Sequence, residues 1–406
     1  NLLSTSSLIT NGSSNTLDEP LSSGTSSKSM KTGHFVPLIA CKKGFANNVS
    51  GHVQMPLHSM RLLADAGHEI HLITNPPTKD RPEFPEMLPK NITIHYVQDG
   101  RKRTKVVDGV GGKSRGISIR RFVKQLREIK SIIKEYDIQL FHSYGYGGTA
   151  TLTSMLRFAG VNVPKIVTLY GIKDASGAKN AMFRNLWNSL TLVSPTAYVA
   201  DLCAQSNLKT IRVQHGSIRN FVQELDNIPV RPMRRVLFWR DPTLENGADI
   251  CVEAFNTLAS KHVDVTFEMA IRPHWDEIDG IDTLEAKHKN VLIHKFPYKD
   301  DVNLADLVTG SCIVVLPFRK HSIHPQLAIA ESLSAGIPVI TSDLCSAPEL
   351  VQDGINGRVV PVNDVQATTT AIEKLLSDPA EMKRMGERAS ETMKNEWSWE
   401  NYVDEI

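Results

Sequence analysis

Residues 314–363 carry the stretch that decides the fold, VVLPFRKHSIHPQLAIAESLSAGIPVITSDLCSAPELVQDGINGRVVPVN. It opens on an apolar strand that ends at Leu316-Pro317-Phe318, and a polar loop leads into a helix that stops at Ala335-Gly336. A buried strand, a loop and a helix N-terminus in this order predict an anion-binding geometry, because unpaired N–H groups and the helix dipole face the ligand. Any doubly wound α/β unit shares this geometry, so the pattern alone leaves the function open.

Strands and helices alternate along the rest of the chain, which predicts an α/β protein with parallel sheets and crossover helices. The first strand is expected at 35–40, because the preceding residues are rich in Ser, Thr, Asn and Gly and bury little apolar surface. The expected divisions are a disordered extension at 1–33, an N-terminal Rossmann-like domain at 34–216, a linker at 217–233, a C-terminal Rossmann-like domain at 234–385 and a closing helix at 386–406.

Composition narrows the class of protein. The net charge is +2, so global electrostatics requires no nucleic acid partner. No apolar run reaches the ~20 residues of a spanning helix, and the N-terminus has no secretory apolar segment, so we expect a cytoplasmic protein. The five cysteines are odd in number, widely spaced and without metal-ligand spacing, which favours reduced thiols and no metal site.

The opening stretch resembles the donor-sugar site of the family-4 retaining glycosyltransferases, which have the GT-B fold. The resemblance rests on Pro317-Phe318, AESLSAGIPVITS at 330–342, PELVQDGING at 348–357, Ser50-Gly51, LLADAGHEIHLIT at 62–74, DICVEAF at 249–255 and Ser398-Trp399-Glu400. It spans about residues 34–406. It implies two Rossmann-like domains that face a cleft, with the C-terminal helix returning to the N-terminal domain. The nucleotide sugar is then expected in the C-terminal domain and the acceptor in the N-terminal one.

Two glycine-containing loops are candidate phosphate sites. The loop 41–51 joins the first predicted strand to the first helix but lacks the spacing of a dinucleotide fingerprint or a Walker A loop. The resemblance implies that Ser50 and Gly51 lie beside the donor sugar and its phosphates. The loop Gly145-Tyr146-Gly147-Gly148 is explained equally by a phosphate contact and by a tight strand-to-helix turn.

Positive charge for the donor is expected just before Gly247. The resemblance implies an arginine, which Arg240 matches, and a lysine at the position where this chain has Asn246. An amide donates hydrogen bonds but supplies no charge, so Arg319 or Lys320 is the candidate source of a second charge. A surface ion pair is the alternative interpretation of Arg240.

The helix after the polar loop supplies the rest of the predicted donor site. The resemblance implies that Glu331 bonds the nucleotide ribose. Eight residues earlier this chain has Ile323, where the family has a carboxylate that touches the transferred sugar. His324 or Gln326 is then expected to supply polar contacts, with Leu327 beside them.

Two further candidates come from the first domain. Tyr170 ends a predicted strand where many family members have a histidine that contacts sugar and acceptor. A tyrosine donates a hydrogen bond but is a poor base near neutral pH, with a reference pKa of about 10. His142 ends the strand predicted at 138–142, and a place in the cleft and a structural place remain open for it.

The segment 101–134 is strongly basic. Within it, a predicted helix carries an apolar stripe with Phe122, Leu126 and Ile129, and its other faces carry Arg and Lys side chains. A solvated helix packed by its apolar stripe and a surface that docks on anionic lipid or an anionic acceptor both explain this pattern.

The resemblance therefore implies a retaining glycosyltransferase that moves a hexose or N-acetylhexosamine from a nucleotide diphosphate sugar, with UDP favoured, to an acceptor hydroxyl. The acceptor class is a glycan, a lipid-linked saccharide or a small molecule. No metal cofactor is expected. The alternative is a non-catalytic GT-B protein that binds a glycan or a partner, suggested by the changed positions Tyr170, Asn246 and Ile323.

Overall fold

The computed structural model describes residues 29–37, 51–76, 92–103, 114–172, 185–217, 221–222, 234–272, 277–299, 302–320 and 323–406. Within these ranges the chain forms two domains, each built on one parallel β-sheet with helices between its strands. None of the described helices is long and apolar enough to cross a membrane.

The first domain contains a seven-stranded sheet and a separate two-stranded one. Its strands are β1 (Lys31–Phe35), β2 (Glu69–Thr74), β3 (Ile92–Tyr96), β4 (Arg101–Arg103), β5 (Ser114–Ile117), β6 (Leu140–Gly145), β7 (Lys165–Leu169), β8 (Thr191–Ser194) and β9 (Ile211–Arg212). Its helices are α1 (Gly51–Asp65), α2 (Ile119–Glu135), α3 (Gly147–Met155) and α4 (Ala197–Gln205). Strands β4 and β5 pair antiparallel, apart from the main sheet.

The second domain contains a six-stranded parallel sheet. Its strands are β10 (Arg234–Phe238), β11 (Val265–Ile271), β12 (Val291–Lys295), β13 (Ile313–Leu316), β14 (Val339–Ser342) and β15 (Gly357–Val360). Its helices are α5 (Ala248–Ala259), α6 (Ile281–Lys287), α7 (Leu304–Thr309), α8 (Leu327–Ser334), α9 (Ala347–Leu350), α10 (Val365–Ser377) and α11 (Pro379–Asn395). The final helix is α12 (Trp399–Glu405). Strand β13 is buried throughout, as expected for an apolar run in the middle of a parallel sheet.

The strand order of each sheet indicates the edge at which a ligand would bind. The first sheet runs β3-β2-β1-β6-β7-β8-β9, and the second runs β12-β11-β10-β13-β14-β15. Each order reverses once, between β1 and β6 and between β10 and β13. Ligands of such sheets bind outside the carboxyl ends of the strands at that reversal. The prediction of two Rossmann-like domains is therefore confirmed.

The last helix packs on the first domain, as predicted. Ser59 Oγ in α1 donates a hydrogen bond to Tyr402 Oη (3.3 Å), and Trp399 Nε1 donates to the carbonyl oxygen of Ser217 (2.8 Å). The predicted single closing helix at 386–406 is instead two helices, α11 and α12. The second begins where Ser398 caps it by accepting a hydrogen bond from the amide of Asn401 (3.1 Å).

The first strand lies earlier than predicted. It covers Lys31–Phe35 rather than 35–40, so the predicted extension 1–33 overlaps β1. The sequence did not indicate this strand because Thr32 and His34 are polar. In the structure both side chains are buried, and they are hydrogen-bonded to each other (2.9 Å). The predicted linker 217–233 lies mostly outside the described residues.

Candidate functional site

Two loops meet at the reversal of the second sheet. One follows β10 and ends at Gly247, and the other follows β13. The amides of Arg319 and Lys320 donate to the carbonyl oxygen of Glu245 (2.9 and 3.1 Å). Gly247 has φ +73°, and a Cβ there would lie 2.0 Å from the carbonyl oxygen of Pro317. Only glycine allows this approach, so the two loops form one fixed surface.

Arg240 lies on this surface, two residues beyond β10. The residue is partly exposed, but its Nε is buried and has no hydrogen-bond partner. Burial lowers the pKa of the Arg240 guanidinium, and the nearby charge of Arg272 lowers it further, whereas Asp241 and Glu331 act in the opposite direction. An arginine whose buried Nε has no partner is ready to receive an anionic acceptor group.

Glu331 is the second predicted residue that the structure brings to this place. It is buried in α8, and its charge acts on Arg240. The neighbouring Ser332 Oγ accepts a hydrogen bond from Trp239 Nε1 (3.1 Å), which ties the end of β10 to α8. Glu331 therefore lies close enough to Arg240 for its charge to act on the pKa of that guanidinium.

The two candidates for a second cation, Arg319 and Lys320, are paired with carboxylates and not directed at Arg240. Arg319 makes a bidentate ion pair with Asp249, with 2.6 Å between Nη2 and Oδ2, and also donates to the carbonyl oxygen of Leu244 (2.9 Å). Lys320 pairs with Glu245. These cations fasten the loop after β13 to the loop after β10 and to the start of α5, because Glu245 and Asp249 already neutralise them.

Asn246, like Arg319 and Lys320, is already hydrogen-bonded to protein groups, in this case within its own loop. Its Nδ2 donates to the backbone carbonyl oxygen of Asp241 (2.9 Å), and its amide donates to the carbonyl oxygen of Thr243 (3.1 Å). Asn246 therefore shapes the turn that presents Arg240.

The polar loop before α8 reaches the first domain. The amide of His324 donates to the carbonyl oxygen of Tyr170 (3.0 Å), and its ring lies 4.8 Å from that of Tyr198 between centroids. Its Nδ1 is 2.7 Å from Ser346 Oγ. Gln326 is buried just before α8, and Leu327 packs with Ile323 against the first domain's core. The predicted donor loop is therefore also part of the domain interface.

Tyr170 faces this interface from the first domain. It is 1% exposed, and its hydroxyl has no hydrogen-bond partner. Its ring lies 6.4 Å from that of Tyr146, edge to face. Burial raises the pKa of Tyr170 well above its usual value, so the hydroxyl stays protonated and has a hydrogen to donate.

His142 is not in the cleft. Strand β6 continues to Gly145, three residues beyond the predicted end, so His142 lies inside the strand and is buried. Its Nε2 is 2.8 Å from Thr168 Oγ1 and its Nδ1 is 3.1 Å from Tyr144 Oη. Burial lowers its pKa well below the usual value. His142 is a structural residue, which corrects its prediction as a catalytic one.

The glycine loops of the first domain are described in part. Ser50 lies outside the described residues, and Gly51 is the first residue of α1. Gly145 has φ +151°, and a Cβ there would lie 2.6 Å from Thr149 Oγ1, so this position favours glycine because the turn into α3 is tight. Strand β1 and its partner β6 place both helix N-termini at the same edge of the sheet.

Two charged residues at these edges were missed by the sequence reasoning. Arg272 follows β11, and its Nε donates to Asp241 Oδ1 (2.9 Å). Glu349 in α9 accepts hydrogen bonds from the amides of Ala197 and Tyr198 (2.6 and 2.7 Å) at the N-terminus of α4. The only available signals were an arginine directly after a predicted strand and a carboxylate in the Pro348-Glu349 helix start.

Over the described part of the chain, no group of three or more His, Cys, Asp or Glu side chains could hold a metal ion. The charges next to Arg240 are those of Arg272, Asp241 and Glu331. The chemistry that this arrangement offers is therefore recognition of an anion by guanidinium groups, with a carboxylate beside it to accept hydrogen bonds.

Comparison with known proteins agrees with this geometry. The solved structure of a glycosyltransferase from Rickettsia africae ESF-5 has a TM-score of 0.73 at 17% identity, covering 93% of this chain and 97% of that one. Anabaena HepE, solved in complex with UDP-glucose, has a TM-score of 0.64 at 13% identity, covering 93% and 98%. At such low identity the likeness establishes the fold alone. The fold is GT-B.

Sequence similarity indicates the family to which the second domain is related. Residues 234–378 match the family model "Glycosyl transferases group 1". Phosphatidyl-myo-inositol mannosyltransferase of Mycolicibacterium smegmatis is 24% identical over 365 residues, which are 87% of this chain and 89% of that protein. The chain spans 8%, 18% and 41% of the length of three other curated relatives, which match over shorter segments.

Proposed function

We propose that this protein is a retaining glycosyltransferase that moves a hexosyl or N-acetylhexosaminyl group from a UDP-sugar to an acceptor hydroxyl. The observation that carries the proposal is the buried, unpartnered Nε of Arg240 beside the buried carboxylate of Glu331, at the strand reversal of the second sheet. A guanidinium there meets a diphosphate, and a carboxylate there accepts hydrogen bonds from ribose hydroxyls.

The proposed reaction uses few groups. The bond between the sugar's anomeric carbon and the leaving phosphate breaks, the acceptor oxygen bonds to that carbon on the same face, and the phosphate takes the acceptor's proton. Arg240 stabilises the negative charge that grows on the diphosphate. Tyr170, protonated and unpartnered at the domain interface, donates a hydrogen bond to the sugar or the acceptor.

UDP is the proposed nucleotide. Support comes from Anabaena HepE, a protein of the same fold that was solved in complex with UDP-glucose. The similar mycobacterial protein is named a phosphatidyl-myo-inositol mannosyltransferase, which supports a glycosyl acceptor of the lipid-linked class. The proposed partners are thus a nucleotide sugar and a glycan, lipid-linked or small-molecule acceptor.

The test is release of UDP from a panel of UDP-hexoses and UDP-N-acetylhexosamines, with the anomeric configuration of the product read by NMR. Arg240→Ala should lower kcat by more than it raises the donor dissociation constant, because its charge matters most in the transition state. Arg388→Ala is the matched control, since Arg388 is an exposed arginine of α11 paired with Glu391. Equal turnover in Arg240→Ala and the parent would refute the assignment.

Glu331→Ala tests the nucleotide site separately. Loss of a buried hydrogen-bond acceptor costs about 1–3 kcal/mol, so the dissociation constant for UDP should rise about 5- to 150-fold. Calorimetry measures it. Unchanged UDP affinity in a folded variant would remove Glu331 from the site.

A second candidate function is a GT-B protein that binds a nucleotide or glycan without turnover. It is favoured by the engagement of Arg319 with Asp249 and of Asn246 with its own loop, which leaves Arg240 with fewer cationic neighbours than the resemblance implied. Tight binding of UDP with no sugar released from any donor and acceptor pair would support this function over transfer.

We also propose a cytoplasmic location with peripheral contact to an anionic membrane through α2. Its buried stripe holds Leu126, Ile129 and Ile133, and its basic side chains are exposed, in agreement with the predicted pattern. Ile119 is 80% exposed beside them. Vesicles with 30% or so of anionic lipid should bind the protein in a salt-sensitive manner, since screening weakens such attraction. Equal binding to neutral vesicles would refute this contact.

A further inference from the structure

Arg272 occupies a position that the proposed function has not used. Strands β10 and β11 run parallel in the register Phe238↔Met269, so the residues three positions beyond each pair, Asp241 and Arg272, come to the same edge of the sheet. The side chains meet there, with Arg272 Nε donating to Asp241 Oδ1 (2.9 Å). The Arg272 side chain is 27% exposed, so it is held in place and still reached by solvent.

The Arg272 guanidinium is therefore held beside the loop that carries Arg240, by its contact with Asp241. The positive charge of Arg272 opposes that of Arg240, which is a cost to the folded state unless anions compensate it. Asp241 and Glu331 supply part of this compensation. A diphosphate, with two or more negative charges, would supply the rest and would gain from both guanidinium groups.

The other positive charges near this edge of the sheet are already in ion pairs. Arg319 is bound to Asp249 at the start of α5, and Lys320 is bound to Glu245 in the loop after β10. Asn246 carries no charge. Arg272 is thus the cation whose charge acts directly on Arg240 in the arrangement that the structure describes.

We propose that Arg272 binds the diphosphate of the nucleotide sugar together with Arg240, and that Asp241 positions its guanidinium through the contact at Nε. This inference rests on the proposed function, because it names a further binding residue of the same donor site. Arg272 contacts the substrate, and Asp241 is a positioning residue.

The experiment compares calorimetric dissociation constants for UDP and for uridine. Arg272→Gln should raise the constant for UDP about 10- to 100-fold and leave that for uridine unchanged, because only UDP carries the diphosphate. Arg272→Lys should restore part of the UDP affinity, since it keeps the charge without the planar geometry. Arg388→Gln, on the exposed face of α11, is the control and should change neither constant.

The variant Asp241→Asn distinguishes two roles of Arg272, binding of the diphosphate and support of the loop. If Arg272 binds phosphate, Asp241→Asn should not lower UDP affinity as Arg272→Gln does, since it removes a negative charge beside the diphosphate. If Arg272 only holds the loop through this ion pair, both variants should weaken UDP and uridine alike, and the inference is wrong. Should Arg272→Gln fail to fold, Arg272→Lys carries the test, and its loss must be confined to UDP.

Failure of the inference and failure of the proposed function give different results. If Arg240→Ala weakens UDP binding while folded Arg272→Gln leaves it unchanged, the inference is overturned and the donor site stands. If the parent protein binds no nucleoside diphosphate at millimolar concentration, both are overturned.

Discussion

Glu349 is expected to hold the two domains together, and replacing it with alanine tests this directly. Its carboxylate reaches from α9 in the second domain to the N-terminus of α4 in the first, where it accepts from the amides of Ala197 and Tyr198 (2.6 and 2.7 Å). The first amides of a helix have no partner inside the helix, and the dipole there favours a negative charge. In Glu349→Ala these amides lose their protein acceptor.

The structure sets the size of the effect. A hydrogen bond to a charged group contributes about 1.5–3 kcal/mol, so two contribute about 3–6 kcal/mol. The Glu349 side chain is 18% exposed, and Arg212, its third partner at 3.4 Å, is 46% exposed. The surface pair with Arg212 adds less than about 1 kcal/mol, and water replaces part of the lost bonds. Halving the sum gives about 1.5–3 kcal/mol, or about 10- to 150-fold in the equilibrium between closed and open domains.

Amide hydrogen exchange resolved to single residues is the assay. Exchange at Ala197 and Tyr198 should accelerate about 10- to 150-fold in Glu349→Ala, and small-angle scattering should show a larger radius of gyration. Glu349→Gln should give an intermediate rate, because it keeps one oxygen acceptor without the charge. Glu391→Ala, an exposed glutamate of α11, is the control. Unchanged exchange at both amides in a folded Glu349→Ala protein would refute the reasoning.

Two further predictions concern stability. Gly247→Ala should lower the free energy of unfolding by more than about 3 kcal/mol, because its Cβ would lie 2.0 Å from the carbonyl oxygen of Pro317. Gly354→Ala, with φ +77° and no neighbouring atom within 4 Å, should cost only about 1–2 kcal/mol of backbone strain, and equal losses in urea titrations would contradict this account. Burial lowers the pKa of His34 to about 3, whereas an unfolded histidine titrates near 6.5. Between these pH values only the unfolded state binds the proton, so stability is retained above about pH 6.5 and falls as the pH drops, by about 2 kcal/mol at pH 5. Urea denaturation of His34→Gln should show a weaker fall between pH 7 and 5, and an identical fall would assign the pH dependence to other groups.

Local patterns determined much of the architecture. The alternation of strands and helices is one of them, and strand β2 (Glu69–Thr74) shows why, because the apolar and β-branched residues of EIHLIT are buried in the middle of a sheet. Arg240 and Glu331 were implied by the resemblance, and the structure places them after β10 and in α8, at the strand reversal of the second sheet. Strand β1 was displaced because its buried positions Thr32 and His34 are polar and find their partners only in the folded protein.

Tertiary contacts decided the roles of the remaining charged and titratable residues. His142 was placed at a strand end, but the pairing of β6 with β7 extends the strand past it and encloses the ring. Arg319 and Asn246 were expected to face the donor. In the structure Arg319 is instead bound to Asp249, and Asn246 donates to the backbone carbonyl of Asp241.

The residues that sequence reasoning missed owe their positions to distant partners. Arg272 meets Asp241 across 31 residues of sequence, and Glu349 meets the amide of Ala197 across 152. Burial periodicity is a local property, because each residue's alternation between core and solvent depends on its own strand or helix. Which carboxylate neutralises which cation depends on how strands and domains come together. The sequence by itself therefore determined the two α/β domains and, through the resemblance, the candidates Arg240 and Glu331, and only the folded chain decided the strand order and which further charges stand beside these two residues.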